Sequence, residues 1–188
     1  MDMLTPEEGT IAVQLARHAV ESAVRGERFA PGSLPPVFSE KRGVFVTAKR
    51  RGQLRGCIGL PYPVRSLRDA ILEAAVSAVT EDPRFMPVSG RELPEIDLEV
   101  TVMTLPEPLQ GPPEERPQKV RVGTHGLIIS GRGTSGLLLP QVPTEYGWSS
   151  IEFLDHTCMK AGLSAGCWKH KDVTVLTFEG QIFSEKET

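Results

Sequence analysis

The sequence contains little of several features that mark particular protein classes. Cysteine occurs 3 times in 188 residues, aromatic residues make up 6% of the chain, and the formal net charge is −3. So few cysteines exclude a disulfide-dense scaffold, and a slightly acidic balance argues against a protein that coats nucleic acid. No run of apolar residues approaches the ~18 that a membrane-spanning helix needs. What remains is a globular chain rich in turns, with 18 glycines and 16 prolines.

The compartment is predicted from the first residues and from the cysteines. Acidic residues at Asp2, Glu7 and Glu8 occupy positions where a signal peptide carries basic ones. An odd and sparse cysteine set fits a reducing compartment better than a disulfide framework. We therefore predict a cytoplasmic protein with no membrane partner.

Helices and strands are predicted from hydrophobic periodicity and capping signals. Capping motifs at Thr5 and Ser149 and a helix-opening Ser66 predict three helices, and alternation predicts strands between them. The predicted helices are 6–25, 67–80 and 150–160, and the predicted strands are 43–48, 53–60, 96–105, 120–122, 127–129, 136–139 and a bent 173–183. The segment 106–118 contains five prolines and predicts an exposed loop at a boundary between two halves. The glycine-rich run 131–136 is typical of a hairpin turn, and a phosphate-binding role for it is the weaker alternative.

The two halves of the sequence contain an internal repeat. Gly43 with its strand, glycine turn, second strand and Ser66-opened helix is matched by Gly126 with the same order of features and a helix opened by Ser149. The offset is 83 residues at both the strand and the helix cap. This pattern predicts an α+β fold with mostly antiparallel strands and an internal duplication of a hairpin-plus-helix unit.

The segment Leu54–Gly59 carries the residue types that packing explains least well. On a strand, Arg55, Cys57 and Gly59 share one face, and Gly56 leaves room for another group to approach the backbone. A guanidinium beside a thiol favours the reactive thiolate, so Cys57 is a candidate nucleophile and Arg55 a candidate anion anchor. The structural alternative is a small buried cysteine that only fills space.

Other candidate site residues lie outside the segment Leu54–Gly59. His125, placed between glycines where a strand begins, is the candidate base for Cys57, or else a turn residue in solvent. Glu81, Asp82 and Arg84 form a polar cluster after the second helix, which is either a site wall or an Asx turn. His156, Cys158, Cys167 and His170 lie close together in the sequence, but a zinc site is disfavoured because His156 and Cys158 are two positions apart on a predicted helix and face different ways. No metal is therefore predicted.

Basic residues cluster on the first predicted hairpin. They are Lys41, Arg42, Lys49, Arg50, Arg51 and Arg55. Solvated turn charge is the simplest interpretation, and contact with a phosphate or nucleic acid is the alternative.

The hexapeptide Leu54–Gly59 resembles the signature of the AMMECR1 domain family. Further segments resemble it in the same order along almost the whole chain: Asp82–Phe85, Val122–Leu127, Leu139–Val142 and Lys160–Leu163. The resemblance implies a single AMMECR1-like domain over 1–188, with an α+β fold of two interlocked subdomains. It also implies a role beside Memo-type and radical SAM partners in a modification pathway, and it identifies neither a reaction nor a cofactor.

Two functional hypotheses follow. The first is a ligand-binding or catalytic cleft between subdomains, built from Arg55, Gly56, Cys57 and Gly59 with Glu81, Asp82 and Arg84, and with His125 as a possible base. The alternative is a non-catalytic module that uses the basic hairpin 49–55 to contact a protein or, less readily, nucleic acid. The chain carries no complete nucleophile, base and orienting set that would identify an enzyme from sequence.

Overall fold

The computed structural model describes residues 3–185 and has an α+β fold with two antiparallel four-stranded sheets, as the sequence predicts. The α-helices are α1 Pro6–Arg25, α2 Leu67–Thr80, α3 Arg116–Lys119, α4 Gln141–Tyr146 and α5 Ser150–Lys160. The strands are β1 Val44–Arg50, β2 Gln53–Leu60, β3 Ile96–Met103, β4 Glu107–Pro108, β5 Gly126–Gly131, β6 Thr134–Leu138, β7 Thr174–Phe178 and β8 Gly180–Ser184. Short 3-10 turns lie at Pro36–Ser39, Leu93–Glu95, Pro113–Glu115 and Cys167–Lys169.

The chain divides into two compact units. The first contains the residues up to Met103 together with those from Gln181 onward, and the second is Thr104–Gly180. Each unit has a hydrophobic core of its own. The proline-rich segment 106–118 begins just after the first division, and the subdomain boundary placed there from sequence stays a prediction.

The first unit packs α1 and α2 with a sheet of order β2-β1-β3-β8. Thr5 caps α1 with the predicted capping box, and Gly26 ends that helix in the left-handed conformation. Apolar residues that alternate along β1 and β3, including Val44, Val46 and Leu98, are fully buried against the helices. In the order β2-β1-β3-β8, the strand β2 forms one edge of the sheet.

The second unit has a sheet of order β4-β7-β5-β6 and the helix α5. Ser149 caps α5 with the second predicted capping box. A disulfide joins Cys158 in α5 to Cys167, with 5.9 Å between their Cα atoms. The expectation of reduced cysteines is thus wrong for this pair, because the turn after α5 returns the chain to that helix and brings two cysteines 9 positions apart into contact.

The two units repeat one arrangement. In each, the first hairpin strand pairs antiparallel with its hairpin partner on one side and with a later strand on the other. A close backbone contact also repeats: a Cβ on Gly56 would lie 1.9 Å from the Ala78 carbonyl oxygen, and one on Gly136 would lie 2.3 Å from the Ala161 nitrogen. Ala78 lies in the last turn of α2 and Ala161 directly follows α5, and the two alanines are separated by the same 83 residues as the predicted repeat. The contact explains why each hairpin needs a glycine there.

Two predicted strands differ from the structure. Residues 120–122 form no strand, because Val120 ends the short helix α3 and is buried in the second core. The predicted single strand 173–183 is two strands, β7 and β8, which belong to different sheets. The alternation of apolar residues continues through 173–183, and such alternation does not specify which sheet a strand joins.

Candidate functional site

Cys57 lies on the edge strand β2, opposite Thr47 of β1. The pairing register shifts between Ala48 and Lys49, whose partners are Gly56 and Leu54, so Arg55 occupies a β-bulge. Bulges redirect side chains at sheet edges and occur often beside functional sites. The segment Leu54–Gly59 thus lies on an edge strand and contains a β-bulge two residues before Cys57.

Cys57 is the free one of the three cysteines, and the residue is partly exposed. The Thr47 hydroxyl donates a hydrogen bond to Cys57 Sγ over 3.3 Å. The arrangement corresponds to an accessible thiol with polar support, which differs from the fully buried cysteine of the structural alternative.

Asp82 fastens the loop after α2 to the strand that carries Cys57. Its carboxylate accepts the Cys57 backbone N–H at 2.9 Å and the Arg84 backbone N–H at 3.1 Å. It also receives two guanidinium hydrogen bonds from Arg84, at 3.0 and 2.8 Å. The Arg84 guanidinium, helped by both N–H groups and opposed by burial, holds the pKa of Asp82 well below its ordinary value. Asp82 is therefore a buried, fully hydrogen-bonded anion.

Arg84 is the exposed charge of this cluster. Its side chain is 55% exposed although Asp82 beneath it is only 3% exposed. Its guanidinium bonds Asp82 through Nε and Nη2, and the donors on Nη1 have no hydrogen-bond partner among the described residues. The guanidinium lies 5.5 Å from the centre of the Phe85 ring. We refer to Thr47, Cys57, Asp82, Arg84 and Phe85 as the Cys57 site.

Arg55 is held by a second set of contacts. It bonds Glu92 through Nε and Nη2 at 3.1 and 3.4 Å and the Met86 carbonyl at 2.9 Å. The N–H of Ser89, followed by the Arg55 guanidinium, lowers the pKa of Glu92 to about 2. Arg55 thus ties β2 to the segment 86–92, and its predicted role as an anion anchor stays a prediction.

The two glycines of the signature segment are in close contact with protein atoms. Gly56 lies against the end of α2, and a Cβ on Gly59 would lie 2.0 Å from the ring of Phe45. These contacts give both glycines a packing reason. Their predicted ligand-binding role stays untested.

Of the predicted cluster after α2, only part faces Cys57. Asp82 and Arg84 do so, whereas the Glu81 carboxylate accepts a hydrogen bond from the Ser77 hydroxyl one helical turn earlier. Sequence reasoning did not select Thr47, Phe85 or Glu92 as site residues. Thr47 is found only from the strand register, since it lies ten residues from the thiol that it contacts.

His125 belongs to the second unit, whereas Cys57 belongs to the first. Arg121 contacts both ring nitrogens of His125. The Arg121 backbone N–H donates to Nδ1 at 3.2 Å, and two guanidinium nitrogens lie 3.1 and 3.2 Å from Nε2. Burial and then the Arg121 cation lower the pKa of His125, and Glu179 opposes them. The lowered pKa favours the neutral form of His125, and its predicted role as a base for Cys57 stays a prediction.

The four cations of the hairpin 49–55 all form ion pairs, with three carboxylates between them. Lys49 pairs with Glu99, and Arg55 pairs with Glu92. Arg50 and Arg51 both contact Glu95. Charges that are already paired release fewer counterions when they meet a phosphate backbone.

The described part of the chain contains no group of three or more histidine, cysteine or acidic side chains placed to hold a metal ion. In addition, Cys158 and Cys167 are joined in the disulfide, so neither thiol is free to bind zinc.

No helix within residues 3–185 combines the length and apolar character that crossing a bilayer requires.

Comparisons with known proteins extend over nearly the whole chain. The AMMECR1 family model matches residues 13–183. A protein of Methanosarcina acetivorans is 54% identical over 190 residues, covering 98% of this chain and 95% of the relative. A protein of Methanothermobacter thermautotrophicus is 51% identical over 185 residues, covering 97% of this chain and 96% of the relative. A crystal structure of an uncharacterised protein from Pyrococcus horikoshii superimposes with a TM-score of 0.80 at 46% identity, covering 97% of this chain and 94% of that one. The chain belongs to the AMMECR1 family.

Proposed function

We propose that the chain binds an anionic ligand at the Cys57 site, with Arg84 contacting the anionic group and the thiol of Cys57 lying beside it. The observation that carries the proposal is the shared carboxylate of Asp82. It places an exposed guanidinium next to a partly exposed thiol by bonding the backbone of one residue and the side chain of the other.

The contacts of the thiol favour binding over a complete catalytic set. Within the first unit, the described residues give Cys57 Sγ one hydrogen-bond partner, the Thr47 hydroxyl, which acts as a donor. Asp82 is fully occupied by Arg84 and by backbone N–H groups, which leaves its carboxylate a poor proton acceptor. The cation of Arg84 therefore supports the binding of an anionic ligand beside Cys57.

The ring of Phe85 adds an apolar surface to the same place. It lies beneath the Arg84 guanidinium at 5.5 Å and near the Arg55 guanidinium at 5.9 Å. Contact with an aromatic face stabilises a guanidinium and limits its side-chain motion. Arg84 is therefore oriented before a ligand arrives, which lowers the entropy cost of binding.

Nuclear magnetic resonance tests this proposal at residue level. Inorganic phosphate and acetate are titrated into ¹⁵N-labelled protein while the amide signals of Cys57 and Arg84 are followed. We expect saturating shifts of both signals in the wild type, and loss of these shifts in Arg84→Gln. The matched control Arg68→Gln removes a similarly exposed arginine from the opposite end of α2 and keeps the wild-type response. Signals that move equally in both variants contradict the proposal.

The partners implied by the family resemblance are a further part of the proposal. We propose that the chain acts with Memo-type and radical SAM proteins in a modification pathway. Support comes from the membership of the chain in the AMMECR1 family. Co-purification of the three proteins from one expression host tests it, with Arg84→Gln separating ligand binding from assembly: complex formation is expected to persist in that variant. Failure of the wild-type proteins to co-purify contradicts the partner proposal and leaves the ligand site unaffected.

A further inference from the structure

Arg116 of the second unit is a buried cation without an acidic partner. The residue begins the short helix α3 and is 8% exposed. Among residues 3–185, no carboxylate forms an ion pair with it; the nearby acid Glu115 pairs with Lys119 instead. An unpaired buried charge is costly, and an anionic ligand that pairs with it lowers this cost.

The hydrogen bonds of Arg116 leave one edge of the guanidinium unused. Nη1 donates to the carbonyl oxygen of Trp168 and, at 3.5 Å, to that of His170. Nε is shut off from solvent and has no partner among the described residues. The Nε and Nη2 edge is the one that binds a carboxylate or phosphate through two parallel hydrogen bonds. The carbonyl groups therefore orient Arg116 from the Nη1 side, and Nη2 makes no hydrogen bond with the described residues, while Nε is closed off from solvent when no ligand is bound.

The segment that orients Arg116 is itself fixed. Trp168 lies in the 3-10 turn Cys167–Lys169, and the disulfide between Cys158 and Cys167 joins this turn to α5. The Trp168 indole N–H also donates to Asp155 of α5 at 2.7 Å. The carbonyl groups that hold the guanidinium thus belong to a rigid part of the unit.

A surface pocket of about 470 Å³ lies at this position. Its lining residues are Gly111, Pro112, Pro113, Glu114, Arg116 and Lys171. Two cations and one carboxylate give the lining a net positive charge, and the prolines supply apolar walls. The volume falls within the range of small-molecule sites, about 300–1,000 Å³.

We propose that this pocket, here called the Arg116 pocket, binds the oxyanion group of a small ligand, a carboxylate or a phosphate. Arg116 donates to the oxyanion, Lys171 adds a second positive charge at the rim, and Glu114 repels it. The pocket lies in the second unit and shares no residue with the Cys57 site, so the two proposals stand independently.

The Nε–H signal of Arg116 in ¹H–¹⁵N spectra reports on the guanidinium of this lining residue, and it shifts when an anion binds at another nitrogen of the same group. Inorganic phosphate and acetate are titrated separately at constant ionic strength up to ~50 mM, a range that reaches millimolar affinity. We expect a saturating shift with at least one of the two, and the tighter one identifies the ligand class. The Arg84→Gln variant is expected to keep this response, which separates the Arg116 pocket from the Cys57 site.

Three variants define the roles of the lining residues. Lys171→Ala is expected to weaken binding about twofold to fivefold and Glu114→Gln to strengthen it by a similar factor, because each removes one exposed charge at the rim. Arg116→Met is expected to weaken binding at least about tenfold. If Arg116→Met does not fold, the opposite effects of the two exposed variants still decide the matter. An Nε–H signal that neither anion moves, or equal affinity in Lys171→Ala and Glu114→Gln, overturns the proposal.

Discussion

The carboxylate of Asp82 accepts the backbone N–H of Cys57 at 2.9 Å, across 25 residues of sequence. This bond occupies a donor on the outer edge of β2 that would otherwise be open to another strand. Because the same carboxylate holds the Arg84 side chain, the position of the exposed charge and that of the thiol depend on one buried group. Asp82 is thus a positioning residue for the Cys57 site.

Replacing Asp82 by Asn tests this role. The variant keeps the shape and loses the charge that receives two guanidinium bonds, so we expect it to lower the free energy of unfolding by about 2 kcal/mol at neutral pH. The control Asp172→Asn removes an acid that is 59% exposed and is expected to change stability by less than about 0.5 kcal/mol. Urea unfolding measures both.

Acid sensitivity gives a second readout for Asp82. Its pKa in the folded state lies below that of the unfolded chain, so its contribution is present above the unfolded value, about 3.9, and is lost as the pH falls further. The stability difference between wild type and Asp82→Asn should therefore shrink below about pH 4. A difference that stays constant down to the acid transition contradicts an ionised Asp82.

Alanine at either repeated glycine should destabilise its own unit. The added Cβ of Gly56→Ala or Gly136→Ala meets backbone atoms at the end of a helix, which cannot move as a flexible side chain can. We expect a loss of about 3 kcal/mol for each. Gly90→Ala, whose Cβ would meet nothing within 4 Å, is the matched control and is expected to be near neutral. Equal unfolding midpoints for all three variants would show that the contact is not tight.

His125 should make the second unit less stable in mild acid. Its pKa in the folded state is lowered, mainly by burial, so the unfolded chain binds a proton first as the pH falls through about 6.5. Stability is therefore expected to decrease from about pH 7.5 toward pH 5, and to decrease less in His125→Asn. Thermal unfolding of both proteins across this range measures the effect. Identical pH profiles would exclude a buried neutral His125.

The helices could be predicted because their signals are local. The capping boxes at Thr5 and Ser149 and the cap at Ser66 involve residues three positions apart, so the sequence alone contains both partners. The repeated hairpin was also predictable, since its order and its 83-residue offset are visible in the chain. Sheet membership was not, as the division of 173–183 into β7 and β8 shows.

The candidate site could be predicted only in part, because its contacts are long-range. The segments containing Cys57, Arg55, Asp82 and Arg84 were visible as unusual residue combinations. Which groups they bond was not: Glu92 lies 37 residues from Arg55, and Thr47 contacts Cys57 across a strand pair. The cysteine count likewise did not reveal the Cys158–Cys167 bond, which depends on a turn after α5.

We expect Cys57 to be an accessible thiol whose surroundings attract anions through Arg84. The most direct measurement compares the alkylation rates of native Cys57 by anionic iodoacetate and by neutral iodoacetamide, in the wild type and in Arg84→Gln, with Arg68→Gln as the control. The account predicts reaction in the folded state and an iodoacetate-to-iodoacetamide rate ratio that falls about threefold in Arg84→Gln and is less affected by that change at high salt. A thiol that reacts only after unfolding, or a rate ratio that is the same in all three proteins, would contradict it.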